Sequence, residues 1–461
     1  MNRIHITPES YAPEIRLMLA AITLHLFLAL TIQLIGTFAL IPAYFDSHGV
    51  FTYDGSAYRA EARALAEMFY GRGFFDWAHT PSPLHVRLYS ICYIDSGPLS
   101  GFDVLAVEPL NLSYYLLTLS LIYAICREVF SRRAGLLAAS IVAFWPSFLL
   151  HTVQHLKDPL YIACILGLVL VLVSCLTRNY SILSGIALGL GGALLTLLLW
   201  PVRSNMWGLT PIFIGGATVL LILRMLREKN ISFGNILCAI LLIIAATWFQ
   251  DIFRGPEPRV NVASSAPPAS AVQVGEQAPA RDAKPETASY LSSIEAKLGY
   301  TAREIDRLRF GFIRNYISGG SNIDTDVRFY SVGDLIRYFP RALAIGFFSP
   351  FPDMWLSPGK EVGHGGRLLA AFETLLIYFN FPLMIFGLWK ARRRWGAWVL
   401  IMISSAALSV LAMIVTNIGA LYRMRFAYWM LLVIIGANGM IHLREEIMKR
   451  RESARAVVNT Q

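Results

Sequence analysis

Ten apolar runs dominate the chain, each about long enough to cross a ~30 Å hydrocarbon layer as a helix. They fall near residues 15–42, 108–126, 134–153, 159–177, 181–199, 206–224, 232–250, 368–389, 395–417 and 426–443. A segment surrounded by lipid must satisfy its own backbone hydrogen bonds, and a helix does so. The runs therefore predict an all-α integral membrane protein with about ten transmembrane helices. Only 15% of the residues are charged, against about 25% in soluble domains. The net charge of +10 would suggest nucleic acid in a soluble protein. Here the cations lie between apolar runs, where topology accounts for them, and no nucleic-acid partner is expected. Cys92, Cys126, Cys164, Cys175 and Cys238 are scattered without CxxC or scaffold spacing, which argues against cysteine chemistry. The first run is too long for the apolar core of a signal peptide and reads as a retained anchor.

The hydrophilic breaks set an orientation. With the N-terminus inside, the short inner segments hold Arg3, Arg16, Arg127, Arg132, Arg133, Arg178, Arg224, Arg227, Lys229, Lys390, Arg392, Arg393, Arg394, Arg444, Lys449, Arg450, Arg451 and Arg455. The short outer segments hold Lys157, Arg203, Arg423 and Arg425. Eighteen against four is a strong positive-inside bias, and it places both termini in the cytoplasm.

Five regions follow. Residues 1–254 form a transmembrane module that includes a first outer loop, 46–107. Residues 255–287, rich in Ala, Pro, Ser and Gln, predict a disordered linker. Residues 288–366 form an outer helical or interfacial segment, in which 342–356 is too short and proline-broken to span. Residues 367–443 carry the last membrane helices, and 444–461 a basic cytoplasmic tail. In the first loop, Ala57–Tyr70 has helical spacing, with Ser56 as the expected N-cap.

Charges beside hydrocarbon are costly, so the outer polar residues are the candidates for chemistry. Asp54 is either a helix N-terminal acid favoured by the macrodipole or a carboxylate placed to take a proton from an acceptor hydroxyl. His151 and His155 would share a face if their turn were helical. They lack an obvious third metal ligand, so no metal site is assigned and the use of a divalent cation stays open. Lys157 and Asp158 precede Pro159, and the pair reads either as a snorkelling and capping pair or as part of a site. Arg203, Arg423 and Arg425 violate the positive-inside trend. They serve either as headgroup anchors or as a grip on a phosphate, which guanidinium geometry suits.

The order of these segments resembles that of membrane glycosyltransferases with the GT-C fold. Tyr53-Asp54-Gly55-Ser56-Ala57-Tyr58, followed by Ala62, Leu65, Ala66 and Gly71-Arg-Gly-Phe74, resembles the acidic first-loop segment of that family. Asn111-Leu-Ser, the Arg127–Ala139 segment and Ala143-Phe-Trp-Pro-Ser are similar to its next helix pair. Leu156-Lys-Asp-Pro159 is similar to its second outer loop, and Leu421-Tyr-Arg-Met-Arg-Phe to the Arg-Tyr-Arg element that opens the last helix. The branch it most resembles is that of dolichyl-phosphate-mannose-protein mannosyltransferases and aminoarabinose transferases. The second acid that the family's first loop often offers has three candidates, Glu61, Glu67 and Asp76.

The resemblance implies inverting transfer of a sugar from a polyprenyl-phosphate donor to a glycan, lipid or protein acceptor. The reaction would lie at the outer face of a plasma membrane, in bacteria the inner membrane. Asp54 would be the base. Arg203, Arg423, Arg425 and Lys157 would hold the phosphate, with Asp158, Tyr58 and Glu61 completing the binding set. Two alternatives remain: a lipid-linked saccharide flippase, and a polymerase or ligase whose late outer loop would supply Arg337 and Arg341.

Overall fold

The computed structural model describes residues 11–42, 44–100, 103–253, 290–315, 320–356 and 363–459. The linker expected at 255–287 lies outside the described residues. The described chain is helical throughout: α1 Ala12–Thr37, α2 Tyr53–Arg72, α3 Phe74–His79, α4 Leu84–Ser100, α5 Glu108–Val129, α6 Arg132–Ala143, α7 Pro146–Thr152, α8 Asp158–Thr177 and α9 Ile182–Arg203. There follow α10 Leu209–Glu228, α11 Phe233–Phe253, α12 Tyr290–Asn315, α13 Val332–Phe348, α14 Gly363–Lys390, α15 Trp395–Ile414, α16 Ile418–Met424 and α17 Phe426–Asn459. Among the described residues there is no strand, only an isolated antiparallel bridge between Asn322 and Asn417.

Each apolar run has a helical counterpart, so the protein is a multi-pass membrane protein. Among the described residues, eight helices are long and apolar enough to cross unbroken, and α11 adds a shorter apolar stretch, Phe233–Thr247. The run at 134–153 departs from expectation. It is two helices, α6 and α7, bent by 68°. The break falls at Trp145-Pro146, where proline lacks the N–H that would continue the ladder. The polar cost of the break is met from another helix. Glu373 of α14, fully buried, accepts from the Ser147 backbone N at 2.6 Å and from Ser147 Oγ at 2.7 Å, and Tyr422 donates its hydroxyl to the same carboxylate.

The interior is built on α8, α15 and the first part of α17, residues 426–439, whose residues are mostly buried. Around them, α9 lies so close to α11 that a Cβ at Gly185 would fall 2.1 Å from the Gly234 carbonyl. Small residues allow this approach where lipid offers no hydrophobic drive between helices.

Residues 53–100 fold as α2, α3 and α4 around Ala62, Leu65, Trp77, Tyr89 and Tyr93. The first of these helices begins earlier than expected. Thr52, not Ser56, is the N-cap, and its Oγ1 accepts from Gly55 N at 3.0 Å. Gly55 is required here, because a Cβ would lie 2.4 Å from Thr52 Oγ1. Asp54 therefore sits inside the first turn, where its charge suits the helix N-terminus.

Residues 332–348 form one helix, α13, with Pro340 inside it and a Ser331/Asp334 capping box at its start. Its Ala342, Ile345, Gly346 and Phe347 are buried, and a Cβ at Gly346 would lie 2.6 Å from the Leu408 carbonyl of α15. Arg309 of α12 donates to the Met413 carbonyl at the end of α15 at 2.7 Å.

Candidate functional site

Four segments far apart in sequence converge at one end of the bundle. Asp54 and Tyr58 lie one turn apart on α2, so they share a face. Lys157 and Asp158 open α8, Arg203 closes α9, and Arg423 is carried by α16. Asp158 at a helix start and Arg203 at a helix end are each favoured there by the backbone dipoles.

The contacts form a chain. Arg203 Nη2 donates to Asp158 Oδ1 at 2.7 Å. Arg423 Nε lies 3.5 Å from Asp158 Oδ2, and Arg423 Nη2 donates to Asp54 Oδ2 at 2.5 Å. Arg423 thus bridges two carboxylates. Burial grades along the chain: the Arg203 and Asp158 side chains are 3% and 4% exposed, whereas Asp54 is 34% exposed. Asp158 is the closed end and Asp54 the open one. Beneath Arg203 lies the Tyr161 ring at 5.3 Å, and Tyr161 is hydrogen-bonded to Tyr428 at 2.8 Å. The Lys157 ammonium lies 5.8 Å from the centre of the Tyr58 ring. Burial and the adjacent Arg203 push the Lys157 pKa down. Burial, then Asp54 and Asp158, push the Tyr58 phenol up to about 12, so it keeps its proton.

The frame around the cluster is polar and buried. Gln154, in the turn before Lys157, donates to the Gly49 carbonyl at 3.1 Å and accepts from Phe51 N at 3.1 Å. Tyr89 of α4 donates to the Leu156 carbonyl at 2.8 Å. The turn that presents Lys157 and Asp158 is thereby fastened to the loop that presents Asp54. On the other side, Asn417 caps α16 by accepting from Ala420 N at 3.0 Å, and it donates to Asn322 at 3.1 Å. The segment around Asn322 therefore fixes the short helix that carries Arg423.

Two candidates stand apart. Glu61 is exposed and two turns further along α2. Arg425 is 1% exposed and turned into the protein, donating to the Gly346 carbonyl at 3.1 Å and the Ser349 carbonyl at 2.5 Å. Arg425 braces the end of α13. It also lines, with Trp145, Tyr422 and Trp429, an apolar pocket. His151 and His155 do not act together, because the chain leaves helical geometry after Thr152. His151 Nδ1 donates to the Ser147 carbonyl at 2.6 Å, and His155 Nε2 is 2.5 Å from the Tyr93 hydroxyl. Among the described residues there is no group of three His, Cys, Asp or Glu side chains able to hold a metal ion.

Two residues of this region were absent from the sequence candidates. Glu373 carried a signal, since a carboxylate inside an apolar run demands a partner. His85, which is 4% exposed and edge-on to Tyr58 with ring centres 4.4 Å apart, carried none.

No family model matches the chain, and no curated protein matches it. Among solved structures, it is similar to the apo oligosaccharyltransferase of Archaeoglobus fulgidus, with 13% identity and a TM-score of 0.43 over 94% of this chain and 52% of that one. It is likewise similar to the archaeal oligosaccharyltransferase AglB from Archaeoglobus fulgidus in complex with an inhibitory peptide and a dolichol-phosphate, with 15% identity, a TM-score of 0.43 and the same coverage. The chain spans about half the length of these proteins.

Proposed function

We propose that the protein is a membrane glycosyltransferase that moves a sugar from a polyprenyl-phosphate donor to an acceptor hydroxyl. The reaction takes place at the face opposite the arginine-rich end, which the charge bias makes the outer face. The observation that carries this reading is the chain Asp54–Arg423–Asp158–Arg203, buried at Arg203 and open at Asp54, with Lys157 beside it. Three cations face two carboxylates, so the cluster holds one positive charge in excess and suits an anionic guest.

A polyprenyl-phosphate sugar is a phosphodiester with one negative charge. On entry its phosphate takes Arg423, Arg203 and Lys157 as partners, and Arg423 lets go of Asp54. The acceptor hydroxyl gives its proton to Asp54, and its oxygen bonds the anomeric carbon on the face opposite the phosphate. The bond from that carbon to the phosphate oxygen breaks, and the electron pair leaves with the polyprenyl phosphate. The departing group gains negative charge, and preorganised guanidinium groups in a water-poor site stabilise it. The single displacement inverts the anomeric centre.

Single-turnover transfer by purified protein given a panel of polyprenyl-phosphate sugars tests the reading. Asp54→Asn is expected to lower the rate about 10²–10⁴-fold while donor binding persists. A merely structural Asp54 would lose only a helix-dipole contact of about 0.3–1 kcal/mol and leave the variant close to wild type in rate. Full activity of Asp54→Asn would remove Asp54 from the mechanism.

A further inference from the structure

His85 is buried at 4% exposure, and neither ring nitrogen has a hydrogen-bond partner among the described residues. Three residues earlier, Ser82 Oγ is buried and unpartnered in the same way. Buried polar groups are almost always hydrogen-bonded, so such atoms call for a guest. The position of His85 says where that guest lies. Its ring meets Tyr58 edge-on at 4.4 Å, and Lys157 rests over the same Tyr58 ring at 5.8 Å. Tyr58 therefore lies against both His85 and the Lys157 of the cationic cluster.

We infer that His85, with Ser82 beside it in sequence, forms a subsite for a hydroxyl group of the transferred sugar; this rests on the reading of the cluster as a sugar-phosphate site. Burial and the cations Lys157 and Arg203 hold the imidazole neutral, with its pKa pushed down to about 4. A neutral imidazole offers one N–H and one lone pair. A hydroxyl can meet either nitrogen, accepting from the N–H or donating to the lone pair, whereas a phosphate diester can only accept. The sugar rather than the acceptor fits the depth. An acceptor must arrive at the exposed side, where Asp54 lies, whereas the sugar sits between phosphate and base and meets the interior first.

The test compares two probes on purified full-length protein: polyprenyl phosphate without sugar and polyprenyl-phosphate hexose. Wild type is expected to prefer the glycosylated lipid. His85→Phe fills the same space without nitrogen, and is expected to bind polyprenyl phosphate as wild type does while losing on the order of tenfold of that preference. His85→Gln keeps a donor and an acceptor, and should recover part of it. Should His85→Phe lose its monodisperse fold, the Gln variant and Ser82→Ala carry the test through the same ratio. An unchanged ratio in the His85 and Ser82 variants overturns the subsite. Failure of wild type to bind either lipid would instead overturn the glycosyltransferase reading, so the two failures are distinguishable.

Discussion

The two ends of the helical bundle treat their charges in opposite ways. At one end, Arg132 pairs with Glu14, Arg178 with Glu128 and Lys390 with Glu446, each joining neighbouring helices. Arg132 and Arg178 are open to solvent, Arg178 at 62%, and Lys390 is half-buried. At the other end, Arg203 and Asp158 meet at 3% and 4% exposure, and Arg423 links them to Asp54. Exposed pairs contribute little to stability, because solvent and salt screen them. A buried charge chain is a poor way to hold a fold together, since desolvation offsets most of the attraction. The first end therefore reads as topology and the second as a site.

The largest effect that could break this contrast is expected at Arg203. Arg203→Met leaves Asp158 buried with only Arg423 Nε at 3.5 Å, and removal of one partner from a buried pair costs about 3–5 kcal/mol. Thermal unfolding in detergent should show the loss. Adding Asp158→Asn should return part of it, because no uncompensated carboxylate remains. A loss below about 1 kcal/mol would mean that the pair behaves like a surface one.

A smaller effect, on rate rather than fold, is expected at Arg423. Lysine keeps the charge but cannot reach Asp54 and Asp158 together as the guanidinium fork does. Arg423→Lys should slow single-turnover transfer about tenfold, a value typical of one lost charge-assisted contact, with little change in melting temperature. Wild-type rate and donor affinity would reassign Arg423 to a structural bridge.

The contrast was partly legible in the sequence. Apolar runs about twenty residues long located the membrane helices, because length and hydropathy suffice for that. Asp54, Tyr58, Lys157, Asp158, Arg203 and Arg423 could be singled out as outer-side residues beside hydrocarbon, and the fold brings them together. Arg425 was grouped with Arg423, yet residues two apart on a helical turn point in different directions, and the fold turns Arg425 inward to Ser349. Glu61 shares a face with Asp54 but lies two turns away. The bend at Trp145-Pro146 was marked by its proline, whereas the Glu373 carboxylate that meets it comes from a helix more than two hundred residues later. His85 shows its significance only through what surrounds it, which no local pattern encodes.

The smallest effect belongs to Arg178, and it sharpens the comparison most when salt is varied. Arg178 donates to Glu128 Oε1 from Nε at 2.7 Å, and Thr177 donates to the same oxygen at 2.6 Å. Loss of the arginine therefore leaves Glu128 with a partner. Arg178→Met should cost at most about 1 kcal/mol and leave transfer unchanged. At 1 M salt the screening length falls to about 3 Å, so the Arg178→Met deficit should vanish as the exposed pair in wild type is screened. The Arg203→Met deficit should persist, because ions do not enter the space between Arg203 and Asp158. Melting temperatures of both variants and wild type, measured at low and high salt, separate the two ends. A salt-induced loss of the Arg203→Met deficit equal to that of Arg178→Met would show the cluster to be open to solvent, and its role as a dry phosphate clamp would fall with it.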